Sequence, residues 1–541
     1  MPYRLRLQFL LVITLGLSTL AWGQGGRGQA GRGTQGQPPA ASGARGARGA
    51  GGSATGFYNF DTTATAGQSI PDGPPAETHQ TITVNGQPLA YTARAGYLAL
   101  QNATTGQPEA HLFFTSYAKD GTTNAASRPI LFFVGGAPGV ATSWQEFGGF
   151  GPKRMRPMND TLQAGPNASY ENPNTLLGQA DLVFVNPVGT AFSRPAQPGA
   201  GPEFWNTTAD IASLGEFVRT YLNRYQRRSS PLFLAGEDFG TGRAAGLAAY
   251  LNDHQVPVQG IALLSMTMSA DSQAGDAQYI TLLPSLIIAA WHHKKLTPEL
   301  NAMSAEQVAG QARQFASREY LHALYSGDRM TADERAKVVA NFSRLTGLSK
   351  AFIVNNNLRI TLDRFNAELL REQRRVLSLS DARVAGFLPA AGGRGGRGGF
   401  GGAPAAIDFN STALANTFLT AYENYLRGEL GFTANANGIF YLMSGGVGAF
   451  TSTGSDDASL ADLFARNPDL RLFVGINYFD LAAPFYAAEY TLAHLSVSPE
   501  VRARNIRISH YDAGQKPYVD TKVLAKLQRD LANFLQPKSI E

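Results

Sequence analysis

Apolar and polar side chains alternate at Thr81–Val84 and again at Leu89–Arg94, on either side of Val84-Asn85-Gly86-Gln87. Asn-Gly between two alternating runs marks a two-residue hairpin, because both residues tolerate positive φ. The pattern predicts a β-hairpin and then an edge strand at His111–Tyr117. Beyond residue 128 the alternation gives way to short unbroken apolar runs at 129–134 (PILFFV), 180–186 (ADLVFVN), 231–235 (PLFLA) and Val258–Met266. Helical periodicity fills two of the gaps, at Ala209–Tyr225 and Gly242–Asp253. Unbroken apolar strands separated by helices indicate a parallel sheet covered on both faces. From Leu282 to Gly386 the pattern is almost wholly helical, including Glu306–Tyr325 and Ala332–Thr346. Strands resume at Gly438–Ser444, Leu470–Ile476 and Ile506–His510, before a closing helix at Thr521–Leu535. The predicted class is α/β: a mostly parallel sheet with helices on both faces, an N-terminal hairpin, and a helical cap inserted over about 275–406.

Two kinds of segment fall outside that body, which is expected over 70–541. Residues 1–23 read as a secretory signal, with Arg4 and Arg6 before an apolar run Phe9–Leu20 and small residues in Ala21-Trp22-Gly23. That run is too short to cross a bilayer, so cleavage is expected and no membrane span remains. Residues 24–69, rich in Gly, Arg and Gln, lack the apolar side chains needed to offset the entropy of ordering and read as disordered, as does the Gly-rich loop 389–405.

Charge changes the picture only after it is located. The net +5 and the pI near 9.2 suggest a polyanion binder, yet eight arginines lie in these non-core tracts: Arg4, Arg6, Arg27, Arg32, Arg45, Arg48, Arg394 and Arg397. Without these eight arginines the chain carries −3, so no field for nucleic acid is left on the body and no specific nucleic-acid partner is expected. The absence of cysteine from all 541 residues excludes disulfides, thiolate metal sites and a thiol nucleophile. An exported chain without cysteine points to a bacterial periplasmic or extracellular location. His292-His293 does not read as a metal pair, because neighbours on a helix point roughly 100° apart. The Gly-rich stretch Leu388–Gly402 follows no strand, so it is not a dinucleotide loop. Neither a metal nor a cofactor is expected.

The chemistry concentrates at Phe233-Leu-Ala-Gly236-Glu237-Asp238-Phe239-Gly240-Thr241, where a buried strand runs into a Gly/Ala-rich helix. This is the context of a nucleophile elbow, G-x-S-x-G, with both glycines kept and Asp238 at the centre. The surroundings resemble the serine carboxypeptidase family, α/β-hydrolases that remove C-terminal residues and write this turn G-E-S-Y-G-T. Further stretches resemble that family in the right order. Phe133–Gly139 (FVGGAPG) is similar to its N-G-G-P-G loop. FGGFGPKR at 147–154 and NPNTLL at 172–177 follow. DLVFVNPVGTAFSR at 181–194 resembles its D-P-V-G-T-G-F-S segment, 478–485 (YFDLAAPF) its acid turn, and 511–515 (YDAGQ) its A-G-H histidine turn. The resemblance covers roughly 75–537 and implies an α/β-hydrolase fold.

Carried over residue by residue, the resemblance puts Asp238, Asp480 and Gln515 at the triad positions, the backbone N–H groups of Gly136 and Phe239 at the oxyanion hole, and Glu237 and Val134 at the substrate-binding positions. The chain departs from the family there. A glutamine amide takes no proton near neutral pH, so Gln515 is not a base. Val134 replaces the loop asparagine, and Ala137 is inserted before the proline. Two functional readings follow. One is a pseudo-peptidase that binds a peptide or protein C-terminus without turnover. The alternative is an active hydrolase or carboxypeptidase with a rearranged triad or with Asp238 as an ester-forming nucleophile, which needs a histidine for the second step. In chain order only His494 and His510 follow the acid. Adjacent Glu237 and Asp238 also require a cation, and Arg243 at the start of the next helix is the expected partner.

Overall fold

The computed structural model describes residues 70, 73–155, 169–266, 271–387, 409–433, 441–443, 447, 450–451 and 456–537. The expected signal segment 1–23, the 24–69 tract and the 389–405 loop lie outside the described residues. The sheet is built from β1 (Ala76–Val84), β2 (Gln87–Gln101), β3 (Pro108–Lys119), β4 (Ile130–Phe133), β5 (Asp181–Val185), β6 (Leu232–Glu237), β7 (Val258–Leu264), β8 (Arg471–Asn477) and β9 (Ile506–Tyr511). Their spatial order is β1-β2-β3-β5-β4-β6-β7-β8-β9, with a two-residue tenth strand, Arg194–Pro195, on β3. Pairing is antiparallel from β1 to β5 and parallel from there to β9.

The β1–β2 hairpin turns at Asn85 and Gly86 with φ of 51° and 75°, as the Asn-Gly signal requires. β3 is not the edge strand expected: it lies between β2 and β5, and β1 forms the edge. Its polar Thr115 and Ser116 are both buried, which hid an interior strand from a reading by polarity.

Along each parallel strand, successive side chains feed two separate cores. Ile130, Phe132, Leu232, Leu234, Ile261 and Val474 face one. Leu131, Phe133, Phe233, Ala235, Ala262 and Phe473 face the other. Helices α1 (Thr207–Arg224) and α2 (Gly240–Asp253) cover the first face, joined by cap helices α3 (Ala277–His292), α4 (Ala305–Phe315) and α5 (Ala332–Thr346). α4 continues through a π-turn, Ala316–Tyr320, into Leu321–Ser326, so the helical run expected at 306–325 is present with one widened turn. The second face is covered by α6 (Phe409–Gly428) and α7 (Thr521–Leu535), through Phe418, Tyr422, Leu527 and Leu531. Of the strand expected at Gly438–Ser444, the described residues 441–443 make one isolated bridge, Leu442 to Ala191, and the rest lies outside the described residues. Tyr441 and Met443 are buried there against the second core, and a short apolar run does not distinguish a strand from a buried loop.

The β6–α2 turn positions the site, and it closes by backbone contact. A Cβ on Gly236 would lie 1.9 Å from the Gly240 carbonyl oxygen, and one on Gly240 would lie 1.8 Å from the carbonyl oxygen of Gly135, in the loop after β4. Both partners are backbone, so neither yields by a rotamer change. Gly240→Ala is expected to cost at least about 1–3 kcal/mol, the range for overpacking. Gly310→Ala, on an exposed face of α4 with nothing within 4 Å of the new Cβ, is expected to gain about 0.5–1 kcal/mol. Denaturant midpoints of the two variants against wild type check both signs.

Candidate functional site

Asp238 sits at the tip of the turn with φ of 54°, the left-handed conformation a non-glycine residue adopts only under constraint. Its N–H donates to the Leu264 carbonyl at the end of β7 (3.0 Å), and its carbonyl accepts from the Thr241 N–H and hydroxyl (2.9 and 2.6 Å). Burial pushes its carboxyl up to about 6, the charge of Glu237 adds to the rise, and Lys516 and the Phe239 N–H oppose it. Glu237, the last residue of β6, is 2% exposed. Its Oε2 accepts from the Tyr518 hydroxyl (2.8 Å) and from the Gln145 side-chain amide. Its Oε1 lies 3.9 Å from Lys516 Nζ and has no hydrogen-bond partner among the described residues.

The cation of the site is therefore Lys516, not Arg243. Arg243 is buried on the other side of the turn, where its Nε meets Asp210 Oδ2 at 2.6 Å and one Nη donates to the carbonyls of Val134 and Gly136 (3.0 and 2.7 Å). Helix α2 leads it away from the elbow towards α1, so the expected Asp238–Arg243 pair does not form. Lys516 also lies over the Trp144 ring, 5.4 Å from its centroid. The sequence signal for it was its place directly after Gln515.

Asp480 follows β8 and is completely buried. Its Oδ1 accepts from the N–H groups of Ala482 and Ala483, both at 3.0 Å, while Oδ2 has no partner among the described residues. Burial pushes this carboxyl up to about 8; the Ala483 and Ala482 N–H groups oppose the rise, and the charges of Asp238 and Glu237 add to it. Gln515 follows β9 and is held by its backbone: its N–H donates to the Ser380 carbonyl (2.6 Å), and its carbonyl accepts from the Ser265 hydroxyl (2.7 Å). Asn477 donates in turn to that hydroxyl (2.7 Å). The Gln515 side-chain amide has no hydrogen-bond partner among the described residues. The charge of Glu237 thus acts on both Asp238 and Asp480, that of Asp238 acts on Asp480, and Lys516 opposes the rise at Asp238.

The remaining candidates are placed less favourably for chemistry. Val134 is wholly buried in the first core, with its N–H on the Ala235 carbonyl (3.0 Å), so it offers no free group. The Phe239 N–H lies against the Asp238 carboxyl, while the carbonyl of Gly136 is taken by Arg243. His494, at the end of helix Phe485–Ala493, is exposed and holds the Tyr490 carbonyl (2.8 Å). His510, on β9, has its Nε2 on Glu489 at 2.7 Å. On α3, His293 Nε2 engages the Ala382 carbonyl (2.7 Å), with the His292 ring set at 82° to its own.

One buried group went unnoticed in the sequence. Glu146, next to Gln145 at the start of a π-turn (Glu146–Phe150), is 1% exposed and accepts from the Tyr117 and Tyr422 hydroxyls. Burial pushes it up to about 7 against those hydrogen bonds.

The raised carboxyls set a pH dependence. Asp238 and Asp480 titrate above the ordinary 3.8 in the folded chain, so between those limits the folded state holds protons the unfolded state has released. Stability from these groups is full below about pH 4 and is lost as pH rises through about 6 and then about 8. Thermal midpoints of wild type should fall across roughly pH 5 to 8.5, and those of Asp480→Asn should fall clearly less, Glu146 and Asp238 keeping some slope. Superimposable profiles would show that Asp480 is ionised throughout.

No family model matches the chain. A 166-residue stretch is 28% identical to a protein called serine carboxypeptidase-like 50 from Arabidopsis thaliana, covering 30% of this chain and 34% of that one. A 196-residue stretch is 24% identical to serine carboxypeptidase-like 36 from the same plant, covering 35% and 38%. The chain thus matches little more than a third of the length of these relatives. Among solved structures, the yeast Kex1 prohormone-processing carboxypeptidase superposes with a TM-score of 0.52 at 13% identity, over 82% of this chain and 91% of that one. At that identity the likeness is one of fold, and the fold is that of an α/β-hydrolase. Motif order, local sequence identity and sheet architecture agree: the chain has the α/β-hydrolase fold and is similar in sequence to serine carboxypeptidase-like proteins.

Proposed function

We propose that this protein is an exported pseudo-peptidase, a carboxypeptidase-like scaffold that binds a peptide or protein C-terminus and does not hydrolyse it. The observation that carries the reading is the isolation of Asp480. In a working triad the acid holds a base imidazole in place. Here Oδ1 is spent on two backbone N–H groups, Oδ2 has no partner among the described residues, and Gln515 at the base position is held only by its main chain. A buried acid without a base to orient has no catalytic task, and its carboxyl moves towards the neutral form. The elbow residue is a carboxyl rather than a hydroxyl, and the Phe239 N–H that would stabilise an oxyanion already faces that carboxyl. His494 and His510 are both engaged elsewhere, which removes support for an ester intermediate on Asp238.

Binding is a different matter. Glu237 is held rigidly by Tyr518 and Gln145, and Lys516, stacked on Trp144 and about a quarter exposed, is the group able to receive a peptide carboxylate. Export rests on the 1–23 segment. Among the described residues no helix is long and apolar enough to cross a membrane. The named relatives come from a plant and a yeast and lend no support to a bacterial source.

The test compares wild type with Asp238→Ser/Gln515→His on dipeptides with a free and with a blocked C-terminus. Wild type should show no turnover above the buffer rate. The double variant should show weak turnover of the free substrate, because the restored imidazole regains Asp480 as its partner. Turnover by wild type that disappears in Asp238→Ala would refute the proposal.

A further inference from the structure

Outside the elbow, a cavity of about 520 Å³ lies at the seam between cap and body. This is within the roughly 300–1,000 Å³ of small-molecule sites. It opens at the C-terminal ends of β8 and β9, the end of a parallel sheet where ligands bind. Glu306 lines it from the cap, and Tyr478 and His510 line it from the sheet.

His510 is held in one orientation. Its Nε2 meets Glu489 Oε1 at 2.7 Å, and its ring stacks on Tyr478 with planes 13° apart. Glu489 is in turn gripped by Arg313 of α4, through Nε (2.9 and 3.1 Å) and Nη2 (2.7 Å). With Nε2 committed to a carboxylate, the ring leaves Nδ1, which has no partner among the described residues, as its free hydrogen-bonding atom.

The charges around the cavity are nearly all paired off. Glu306 meets Arg313 (3.1 Å) and the Tyr478 hydroxyl, and Asp520 caps α7 through the N–H groups of Lys522 and Val523. Arg383 holds Asp381 (2.7 Å), and Lys526 holds Asp530 (3.2 Å) and the His510 carbonyl (3.1 Å). Asp512 after β9 and Lys522 in the first turn of α7 are exposed, and the side chain of neither makes a hydrogen bond or an ion pair within 4 Å among the described residues; Arg383 donates to the Asp512 carbonyl (2.7 Å), and its charge acts on Asp512 and Asp520 from further off. A lysine in a first turn also opposes the helix dipole, so helix stability does not account for it. Asp512 and Lys522 thus present charges of both signs to the same cavity, with their side chains not committed to a close partner, and a singly charged ligand answers only one of them. A ligand carrying both charges answers both.

We infer that this seam is a second binding site, separate from the elbow, for a small zwitterion of the amino-acid or dipeptide type. Its carboxylate meets Lys522, its ammonium meets Asp512, and the free nitrogen of His510 takes a hydrogen bond between them. The inference does not rest on the reading of the elbow.

The test is calorimetric titration of the purified protein with glycylglycine, N-acetylglycylglycine, which lacks the ammonium, and glycylglycinamide, which lacks the carboxylate. Glycylglycine should bind saturably, and each capped probe should bind at least about tenfold more weakly, the loss of one charge-assisted contact. Lys522→Ala and Asp512→Asn, both on the surface, should each weaken glycylglycine binding about tenfold with an unchanged thermal midpoint, and Asp238→Asn should bind like wild type. Absence of saturable binding, equal binding of the capped probes, wild-type affinity in both seam variants, or loss of binding in Asp238→Asn would each overturn the site.

Discussion

The molecule depends on one close approach of backbone to backbone. Gly236, Gly240 and Gly135 meet where β6 turns into α2, with no space for a side chain at the first two positions. That contact leaves Asp238 in a left-handed conformation at the top of the sheet. In a hydrolase such strain is tolerated because it lifts a nucleophile clear of the strand ends. Here the strain persists while the side chain it presents is a carboxyl. The fold therefore retains a costly local geometry while presenting a carboxyl in place of a hydroxyl.

The electrostatics of the site follow from that replacement. Three carboxyls, Glu237, Asp238 and Asp480, share a largely buried region with Lys516; burial pushes Asp238 and Asp480 up, Glu237 adds to both rises, and Asp238 adds to that of Asp480. Burying like charges without matching cations is unfavourable, and proteins relieve it by holding protons. A base histidine between elbow and acid would have supplied a positive charge during catalysis. Without it the Asp480 proton becomes part of the resting structure. Glu237 is held differently: its Oε2 accepts hydrogen bonds from Gln145 and Tyr518, which fix the side chain beside the elbow. Gln145 adjoins Glu146, itself fixed by two tyrosines, so this support reaches down into the second core.

The seam between cap and body has the opposite character. Glu306 and Arg313 of the cap interlock with Tyr478, Glu489 and His510 of the body in a network where each charged group has a partner. The network orders an imidazole beside an open cavity, well separated along the chain from the elbow. His510, which follows the acid in chain order, thus has its Nε2 on Glu489 rather than on an elbow residue.

Much of this was legible in the residues alone. Unbroken apolar runs marked the parallel strands, Asn85-Gly86 the hairpin, and Gly236 and Gly240 the elbow, because each is a local requirement of backbone geometry written into a few consecutive positions. The loss of the hydroxyl and the imidazole was equally plain, since Asp238 and Gln515 are simply other side chains. Polarity misled at β3, whose Thr115 and Ser116 are buried by neighbours far away in sequence, and at 441–443, the described part of an expected strand, which packs against the second core and makes one bridge. Only the tertiary structure decided which cation serves the elbow. Arg243 is five residues from Asp238 and Lys516 is 278 residues away, yet helix direction turns the near one aside and strand order brings the distant one in. The same holds for the unpartnered Oδ2 of Asp480 and for the pairing of His510 with Glu489. Such pairings depend on where side chains point after packing, and no local pattern encodes that.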